Sequence, residues 1–278
     1  KLLPTRTKFN FSIMAHIHLH AKAQGKFTEK GQDEKQPKEV SNPSLRKEGL
    51  YSISNSLERK IKNLSLRKED SPWGEYASFH NYSEDAYQRK LTLVDGFIEQ
   101  AQPDMVWDLG ANTGDFSRLA SQKGITTIAF DIDPAAVEEG YKQSLAQNIK
   151  HIHHYIMDLF NPSPNLGWNN TERKSLLDRG PTDMILALAL IHHLAIANNL
   201  PFSMISGFFA ALAEWLVIEF VPKTDSQTQI LLSSRRDIFE AYLIERFEEV
   251  FSSDFSILNK TAIEGTERTL FLMQRLPR

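Results

Sequence analysis

A turn with two glycines and two carboxylates is the segment of this sequence best suited to bind a ligand. Residues 108–115 read Asp-Leu-Gly-Ala-Asn-Thr-Gly-Asp, so Gly110 and Gly114 stand between Asp108 and Asp115. Glycines allow the backbone to turn tightly and to approach a ligand closely. The turn follows an apolar strand pattern and precedes a helical pattern, whose N-terminus would point at the ligand. We therefore predict a ligand-binding turn between a strand and a helix.

The charge of this turn indicates the class of ligand. A dinucleotide-binding turn has the pattern G-x-G-x-x-G, but Asn112 and Asp115 stand where its second and third glycines would be. Two carboxylates would repel a pyrophosphate and would favour an adenosine ligand with a cationic, amine-bearing tail. That description fits S-adenosylmethionine as the cofactor. The residues of the turn predicted to bind it are Asp108, Gly110, Ala111, Asn112 and Gly114.

Two more aspartates stand at the ends of the next predicted strands. Asp131 comes 23 residues after Asp108, and an acid about 20 residues past a glycine turn accepts hydrogen bonds from ribose hydroxyls. Asp158 ends the third predicted strand, where its carboxylate can accept the adenine amino hydrogens while Ile132 or Leu159 packs against the ring. Each aspartate alone is also explained as a helix cap or a turn residue. Their regular placement at successive strand ends favours one adenosine site.

The end of the fourth predicted strand is where a methyl acceptor would lie. Leu190 ends this strand, beside the predicted cofactor, and His192 and His193 follow it. Methyl transfer is an in-line displacement, so the enzyme must align a nucleophile and, for an oxygen or a protonated nitrogen, remove its proton. Imidazole titrates near neutrality, which makes His192 or His193 a candidate base. Alternatively, one histidine caps the following helix and the other packs beneath it.

Four other residues are candidates for contact with the acceptor. Tyr76 and Tyr82 belong to an aromatic group that either covers the pocket or packs the N-terminal segment against the core. Lys90 lies on the first predicted helix of the core. Glu219 lies near the end of the fifth predicted strand, where a solvated loop is the alternative.

Alternating strands and helices must position these residues. Strands are predicted at 105–109, 126–130, 154–157, 184–190, 215–221, 255–258 and 269–273. Helices are predicted at 83–102, 115–122 and 134–148, within 191–213, and at 234–250. Such alternation is typical of βαβ units. The last two strands have no long helix between them. We therefore predict an α/β, Rossmann-like, doubly wound sheet of seven mainly parallel strands with an antiparallel last strand.

The N-terminal part of the chain differs in charge from the rest. Residues 1–70 carry 15 Lys and Arg against 8 Asp and Glu, and residues 71–278 carry 17 against 27, so that balances of +7 and −10 sum to −3. We predict a basic helical and linker segment over residues 1–70, as the remnant or edge of an upstream domain, and a methyltransferase domain over 71–278. The chain begins with Lys1 instead of Met, which suggests a processed or longer protein.

The amino-acid composition excludes several classes of protein and of active site. The 41% apolar and 24% charged residues are typical of a soluble globular protein. We expect a cytoplasmic protein without a membrane span, because no stretch of 18 apolar residues occurs. The absence of cysteine excludes a disulfide scaffold and a cysteine nucleophile. His16 and His20 share a helix face without an evident third ligand, so we predict no metal site.

Longer motifs resemble a known enzyme superfamily. The segments VWDLGANTGDFSR, AFDIDPAAVE, MDLFNP and DMILALALIHHL resemble, in this order, the motifs of class I S-adenosylmethionine-dependent methyltransferases. Residues 2–24, SPWGEY, the helix with Tyr87-x-x-Lys90 and ALIHHLAIANNLPF together resemble the methyltransferases related to the nodulation protein NoeA. This resemblance implies a nodulation-related role and a chain that is the C-terminal portion of a longer protein. It also implies contact of Asp108, Gly110 and Gly114 with the methionine end, Asp131 with the ribose and Asp158 with the adenine.

Three functions stay open at this point. The first is methyl transfer to an oxygen or nitrogen of a small-molecule, carbohydrate or lipid-linked acceptor, with S-adenosylhomocysteine as product. The second is an RNA or protein methyltransferase that docks an anionic macromolecule through its basic N-terminal segment. The third is a non-catalytic module that binds the cofactor. Fold alone does not identify the acceptor.

Overall fold

The computed structural model of the chain describes residues 5–9, 13–19, 22, 43–64 and 82–277. Two units are distinguished, Lys1–Arg67 and Lys68–Arg278. The domain roles predicted for residues 1–70 and 71–278 stay predictions. Tyr76 lies outside the described residues.

Three helical elements are described in the first unit. A 3-10 helix spans Thr5–Phe9, a π-helix spans Met14–His18 and helix α1 spans Pro43–Lys62. Three basic residues occupy the last turn of α1, where they complement the negative end of the helix dipole. No helix of the described residues has both the length and the apolar character that a bilayer crossing requires. The side chains of His16 and His20 are outside the described part, which contains no group of three metal-ligating residues.

Seven strands of the second unit form one sheet. The strands are β1 (Met105–Leu109), β2 (Thr126–Asp131), β3 (Ile152–Ile156), β4 (Thr182–Ala187), β5 (Ala213–Phe220), β6 (Phe255–Ala262) and β7 (Thr269–Arg275). Their order is β3-β2-β1-β4-β5-β7-β6. Strand β7 is antiparallel to both β5 and β6, and the pairs among β1 to β5 are parallel. The predicted α/β sheet with an antiparallel last strand is confirmed, and β7 lies inside the sheet between β5 and β6.

Among the described residues of this unit, seven α-helices accompany these strands, together with a 3-10 helix at Trp168–Asn170 and a π-helix at His193–Ala197. The α-helices are α2 (Glu84–Ala101), α3 (Asp115–Gln122), α4 (Pro134–Ala146), α5 (Leu176–Arg179), α6 (Phe202–Leu212), α7 (Ser226–Ser233) and α8 (Ile244–Phe251). Short polar side chains cap the starts of α2, α4, α5 and α7. Ser83 accepts a hydrogen bond of 3.2 Å from the backbone N–H of Ala86 at the start of α2, and Asp133 caps α4 in front of Pro134.

The helix predicted over 234–250 is confirmed from Ile244 onward, within α8, and is wrong over 234–243. The chain forms α7 and α8 instead, and residues 234–243 between them are not helical. The side chain of Asp237 accepts a hydrogen bond of 2.9 Å from the backbone N–H of Phe239, and such local bonds compete with helix formation. Tyr242 is buried here, and its hydroxyl donates a bond of 2.8 Å to the Val221 carbonyl. Tertiary contacts therefore outweigh the helical pattern.

The end of the fourth strand also differs from the prediction. Strand β4 ends at Ala187, so Leu190 lies in a turn beyond it. The helical region predicted over 191–213 is divided into a π-helix, His193–Ala197, and helix α6. Asn199 has a positive φ of 59°, and Pro201 lacks the backbone N–H that a continuous helix would need.

Two apolar layers hold the sheet. Helices α6 and α8 contribute Phe209 and Phe247 to a core on one face, while α2 contributes Val94 and Ile98 to a core on the other. The central strands are buried between these layers, which explains their continuous apolar sequences. Because β1 to β4 run parallel, their C-terminal ends lie at one edge of the sheet.

Candidate active site

The glycine turn between β1 and α3 is fixed to the neighbouring strand. The backbone N–H groups of Gly110 and Ala111 both donate to the Phe130 carbonyl at 2.9 Å. Gly110 has a φ of 79° and Gly114 a φ of 86°, values in the left-handed region that glycine adopts without steric cost. The turn therefore has one defined shape at the end of β2.

Asp108 is a buried carboxyl beside this turn. Its side chain is only 2% exposed, and its Oδ2 accepts a hydrogen bond of 2.6 Å from the Ser117 hydroxyl. Burial raises the pKa of Asp108 to about 7, although the Ser117 hydrogen bond opposes this rise. A cation placed beside Asp108 would favour its ionised form. Ser117 was not predicted as a site residue, although it lies in the first turn of α3, directly after the glycine turn.

Asp131 joins the second strand to the glycine turn. Its Oδ2 accepts a hydrogen bond of 2.7 Å from the backbone N–H of Asn112, and its Oδ1 accepts one of 2.9 Å from the backbone N–H of Asp133. Burial raises the pKa of Asp131, and the backbone donors oppose the rise. The structure therefore brings Asp131 directly against the turn that contains Asn112.

The other residues that the sequence predicts to bind adenosine lie near the C-terminal ends of β2 and β3. Asp131 pairs in register with Ile156 of β3, and Asp158 follows two positions later. The Asp158 Oδ1 accepts a hydrogen bond of 2.9 Å from the backbone N–H of Phe160. Ile132 is 57% exposed, whereas Leu159 is half-buried against the core. Apolar and carboxylate groups thus share this edge of the sheet.

The second carboxylate of the turn, Asp115, is already paired. Arg118 forms an ion pair with Asp115 and donates a hydrogen bond of 3.0 Å to the Thr113 carbonyl. The hydroxyl of Tyr87 also donates to Asp115. The negative charge available to a ligand at this turn therefore comes mainly from Asp108.

The segment after β4 lies against the glycine turn. A Cβ built on Gly110 would be 3.4 Å from the Cδ1 of Leu190. The preceding residue, Ala189, has a φ of 48°, and its N–H donates a bond of 2.8 Å to the Oε2 of Glu219. Leu190 therefore lies against the glycine turn, in a turn of its own beyond β4, and its contact with a cofactor stays a prediction.

His192 and His193 are adjacent imidazoles with different burial. Their ring centroids are 4.2 Å apart. His192 is fully buried, and neither of its ring nitrogens has a hydrogen-bond partner among the described residues. Burial lowers the pKa of His192 well below its usual value, and it lowers the pKa of the half-buried His193 to about 4. Both rings are therefore neutral at neutral pH.

Three of the predicted acceptor-contacting residues form a buried ionic group. The Nζ of Lys90 lies 2.6 Å from the Oε2 of Glu219 and donates a bond of 3.2 Å to the Tyr82 hydroxyl. Arg268 pairs with Asp225 through two bonds of 2.7 and 3.1 Å. It also lies 3.3 Å from the Oε1 of Glu219. We call these five residues the buried ionic cluster. Arg268 was not predicted as a site residue, because a polar turn ahead of a strand gives no sign of burial.

Comparison of the whole sequence identifies one curated relative. The chain is 35% identical over 283 aligned residues to the nodulation protein NoeA of Rhizobium meliloti (strain 1021). The alignment covers 99% of this chain and 58% of that protein, so the chain spans less than two thirds of its relative. No protein-family model matches the chain.

Solved structures show the fold. A SAM-dependent methyltransferase from Aquifex aeolicus matches with a TM-score of 0.50 and 10% identity, over 75% of this chain and 100% of that one. The 16S rRNA methylase RmtB matches with a TM-score of 0.50 and 13% identity, over 82% of this chain and 83% of that one. The chain is thus related to the nodulation protein NoeA and has the Rossmann-like fold of class I methyltransferases.

Proposed function

We propose that the second unit binds S-adenosylmethionine and transfers its methyl group to an oxygen or nitrogen of a small-molecule, carbohydrate or lipid-linked acceptor. The observation that carries this proposal is the bond between Asp131 and Asn112. It places a partly buried carboxylate against a left-handed glycine turn at the edge where β1 and β2 end. Parallel α/β sheets bind ligands at this edge.

The donor and acceptor groups of this edge fit the proposed cofactor. A carboxylate has about four lone-pair sites, and the backbone N–H groups of Asn112 and Asp133 use one on each oxygen of Asp131. The remaining acceptor capacity is suited to ribose hydroxyls. Asp108 would attract the amino group of the methionine end. Ile132 and Leu159 offer apolar surface to the adenine, and Asp158 offers an acceptor for its amino group.

The cofactor would supply a methyl group made electrophilic by a sulfonium. The chain's own residues must then orient the acceptor and exclude water. His193 is unprotonated at neutral pH because its pKa is about 4. It can accept a hydrogen bond from an acceptor hydroxyl or amine, but its low pKa makes it a weak base. We therefore propose His193 as an orienting group for the acceptor, and His192 as a buried side chain next to it that helps to exclude water.

Charge favours a small or glycan-type acceptor over RNA. Residues 71–278 carry 17 basic against 27 acidic residues, and a net negative charge repels a phosphate backbone. The charge therefore favours a small or glycan-type acceptor. The name of the relative adds a nodulation-related role to this proposal. The RNA or protein alternative relies on the basic residues of the first unit, such as those at the end of α1.

Calorimetric titration tests the cofactor, and a transfer screen tests the acceptor. We expect S-adenosylmethionine and S-adenosylhomocysteine to bind the wild-type chain and to bind the Asp131→Ala variant more weakly. The absence of binding to the folded wild-type chain would refute the proposal. Labelled cofactor incubated with metabolite, RNA and protein pools should label a small or glycan-type fraction. Labelled RNA, with RNA binding that weakens steeply as salt increases, would instead support the alternative.

A further inference from the structure

The buried ionic cluster is connected to the glycine turn through two consecutive residues. Glu219 accepts the N–H of Ala189, and the next residue, Leu190, lies against Gly110. We propose that Glu219 is a positioning residue, which holds Ala189 in the left-handed conformation and so keeps Leu190 over the cofactor site. This inference rests on the proposed function for the identity of the ligand.

Ala189 needs such support because its backbone conformation is unfavourable. Its φ of 48° lies in the left-handed region, which is sterically unfavourable for a residue with a Cβ. Strand β4 ends just before Ala189. Its last residue paired with β5 is Ala187, which lies opposite Ile218. The side chain of Glu219, the next residue of β5, then accepts the Ala189 N–H at 2.8 Å. A hydrogen bond to a carboxylate is stronger than a neutral one, which offsets the strain.

Three elements fix Glu219 in place. Lys90 comes from α2, Glu219 from β5 and Arg268 from the turn before β7, and Glu219 has no exposed surface. Burial alone would raise the pKa of Glu219, but the Lys90 ammonium and the Arg268 guanidinium hold it below its usual value. The carboxylate is therefore charged and immobile where it contacts Ala189.

The charges of the cluster are matched to each other. Both oxygens of Glu219 are engaged, since Oε2 contacts Lys90 and Ala189 and Oε1 contacts Arg268 and accepts the hydroxyl hydrogen of Tyr82. Lys90 and Arg268 are each only 3% exposed. This mutual pairing favours a positioning role over direct contact with an acceptor for Tyr82, Lys90 and Glu219.

The primary test compares Glu219→Gln with Glu214→Gln. Glu214 belongs to the same strand but is exposed, with a bond of 3.1 Å from Gln274, so its substitution is a matched control. Hydrogen exchange of the Ala189 amide and calorimetric affinity for S-adenosylhomocysteine are measured on both folded variants. We expect Glu219→Gln to speed exchange and to weaken affinity about tenfold, and Glu214→Gln to change neither. Lower thermal stability with unchanged exchange and affinity would overturn the inference.

Ala189 variants test the same step without altering the cluster. Ala189→Val should weaken affinity because a β-branched residue adopts the left-handed region poorly, whereas Ala189→Gly should bind as the wild type does. In the Glu219→Gln background, Ala189→Gly should restore part of the affinity while the loss of thermal stability persists. Equal affinities of Ala189→Val and wild type would overturn the inference. Absence of binding by the wild type would refute the proposed function instead, and exchange at Ala189 would still report on positioning.

Discussion

The Asp131 carboxylate accepts a hydrogen bond of 2.7 Å from the backbone N–H of Asn112. This bond connects the end of β2 to the glycine turn after β1, and Asn112 itself has a positive φ of 50°. One aspartate thus both shapes the turn and offers its remaining lone pairs to a ligand.

Substitution of Asp131 should separate cofactor binding from folding. We expect Asp131→Ala to weaken S-adenosylhomocysteine affinity about 10- to 100-fold, because it removes charged hydrogen bonds of about 1.5–3 kcal/mol. Asp131→Asn keeps one carbonyl oxygen and should lose less. Calorimetry measures both affinities. The control is Asp104→Ala at an exposed position of the same unit, and comparable losses in this control and Asp131→Ala would contradict the placement of the ribose.

Cofactor affinity should depend on pH through Asp108. Its pKa of about 7 means that the carboxyl is protonated in the free protein below that pH. A cationic amino group binds the ionised form, so affinity should increase by up to about tenfold per pH unit as the pH rises toward 7 and then level off. Calorimetry between pH 5.5 and pH 8, chosen to bracket a pKa of about 7, measures this. The Asp108→Asn variant should bind weakly with a flat profile, and a parallel slope in this variant would exclude Asp108 as the cause.

The same carboxyl should affect the stability of the ligand-free protein. Its pKa is raised above the ordinary 3.8, so the folded state holds this proton more tightly than the unfolded state does. The contribution of the protonated Asp108 to the free energy of unfolding is therefore complete below about pH 4. It is lost as the pH rises through 7, and it amounts to about 4 kcal/mol at most. We expect Asp108→Asn to be more stable than wild type at pH 8, with the difference disappearing near pH 4. Thermal unfolding at both pH values checks the sign.

Alanine at two helix glycines should have opposite effects on stability, because Gly140 packs against the glycine turn and Gly96 does not. A Cβ on Gly140 of α4 would come within 2.7 Å of the Thr113 carbonyl oxygen. Gly140→Ala must displace backbone, so we expect a loss of about 1–3 kcal/mol in unfolding free energy together with weaker cofactor binding. Gly96 lies on α2 with no atom within 4 Å of a built Cβ. Gly96→Ala should stabilise by about 0.5–1 kcal/mol, and denaturant unfolding of both variants decides whether this contrast holds.

Removal of one cation from the buried ionic cluster should be costly. Lys90→Met leaves Glu219 with less compensation in a site without water access, and breaking a buried ion pair costs about 3–5 kcal/mol. The comparison is Lys142→Met, whose partner Glu138 forms an exposed pair worth less than about 1 kcal/mol. Chemical denaturation measures both losses. A similar small loss in the two variants would show that the cluster contributes little to stability.

His193 should stay neutral across the physiological range. Burial lowers its pKa to about 4, so the folded state binds this proton more weakly than the unfolded state does. The associated stability is present above the usual pKa of His and is lost as the pH falls toward 4. Nitrogen-15 NMR of labelled histidine should show the His193 ring unprotonated at pH 6. Protonation with a midpoint near 6.5 would contradict this environment and would favour the general base predicted from sequence alone.

The sequence alone determined the fold and the residues that surround the glycine turn. Short apolar strands, helix caps such as Ser83 and the spacing from Asp108 to Asp131 are local patterns. Such patterns can be recognised from the sequence alone. The same logic failed at residues 234–243, where the burial of Tyr242 and the Asp237 turn outweighed helical periodicity.

Only the tertiary structure decided which charges are available to a ligand. Asp115 could pair with Arg118 three positions later on the same helix, but the bond that it accepts from the hydroxyl of Tyr87, 28 positions away, is a result of the packing of α2 against α3. Arg268 and Tyr82 meet although they are 186 positions apart, and β7 lies between β5 and β6. Buried ion pairs between distant residues depend on how the elements pack, and they leave no periodic pattern in the sequence. For that reason Glu219 could be recognised as a candidate residue from the sequence, while its contact with Ala189 could not.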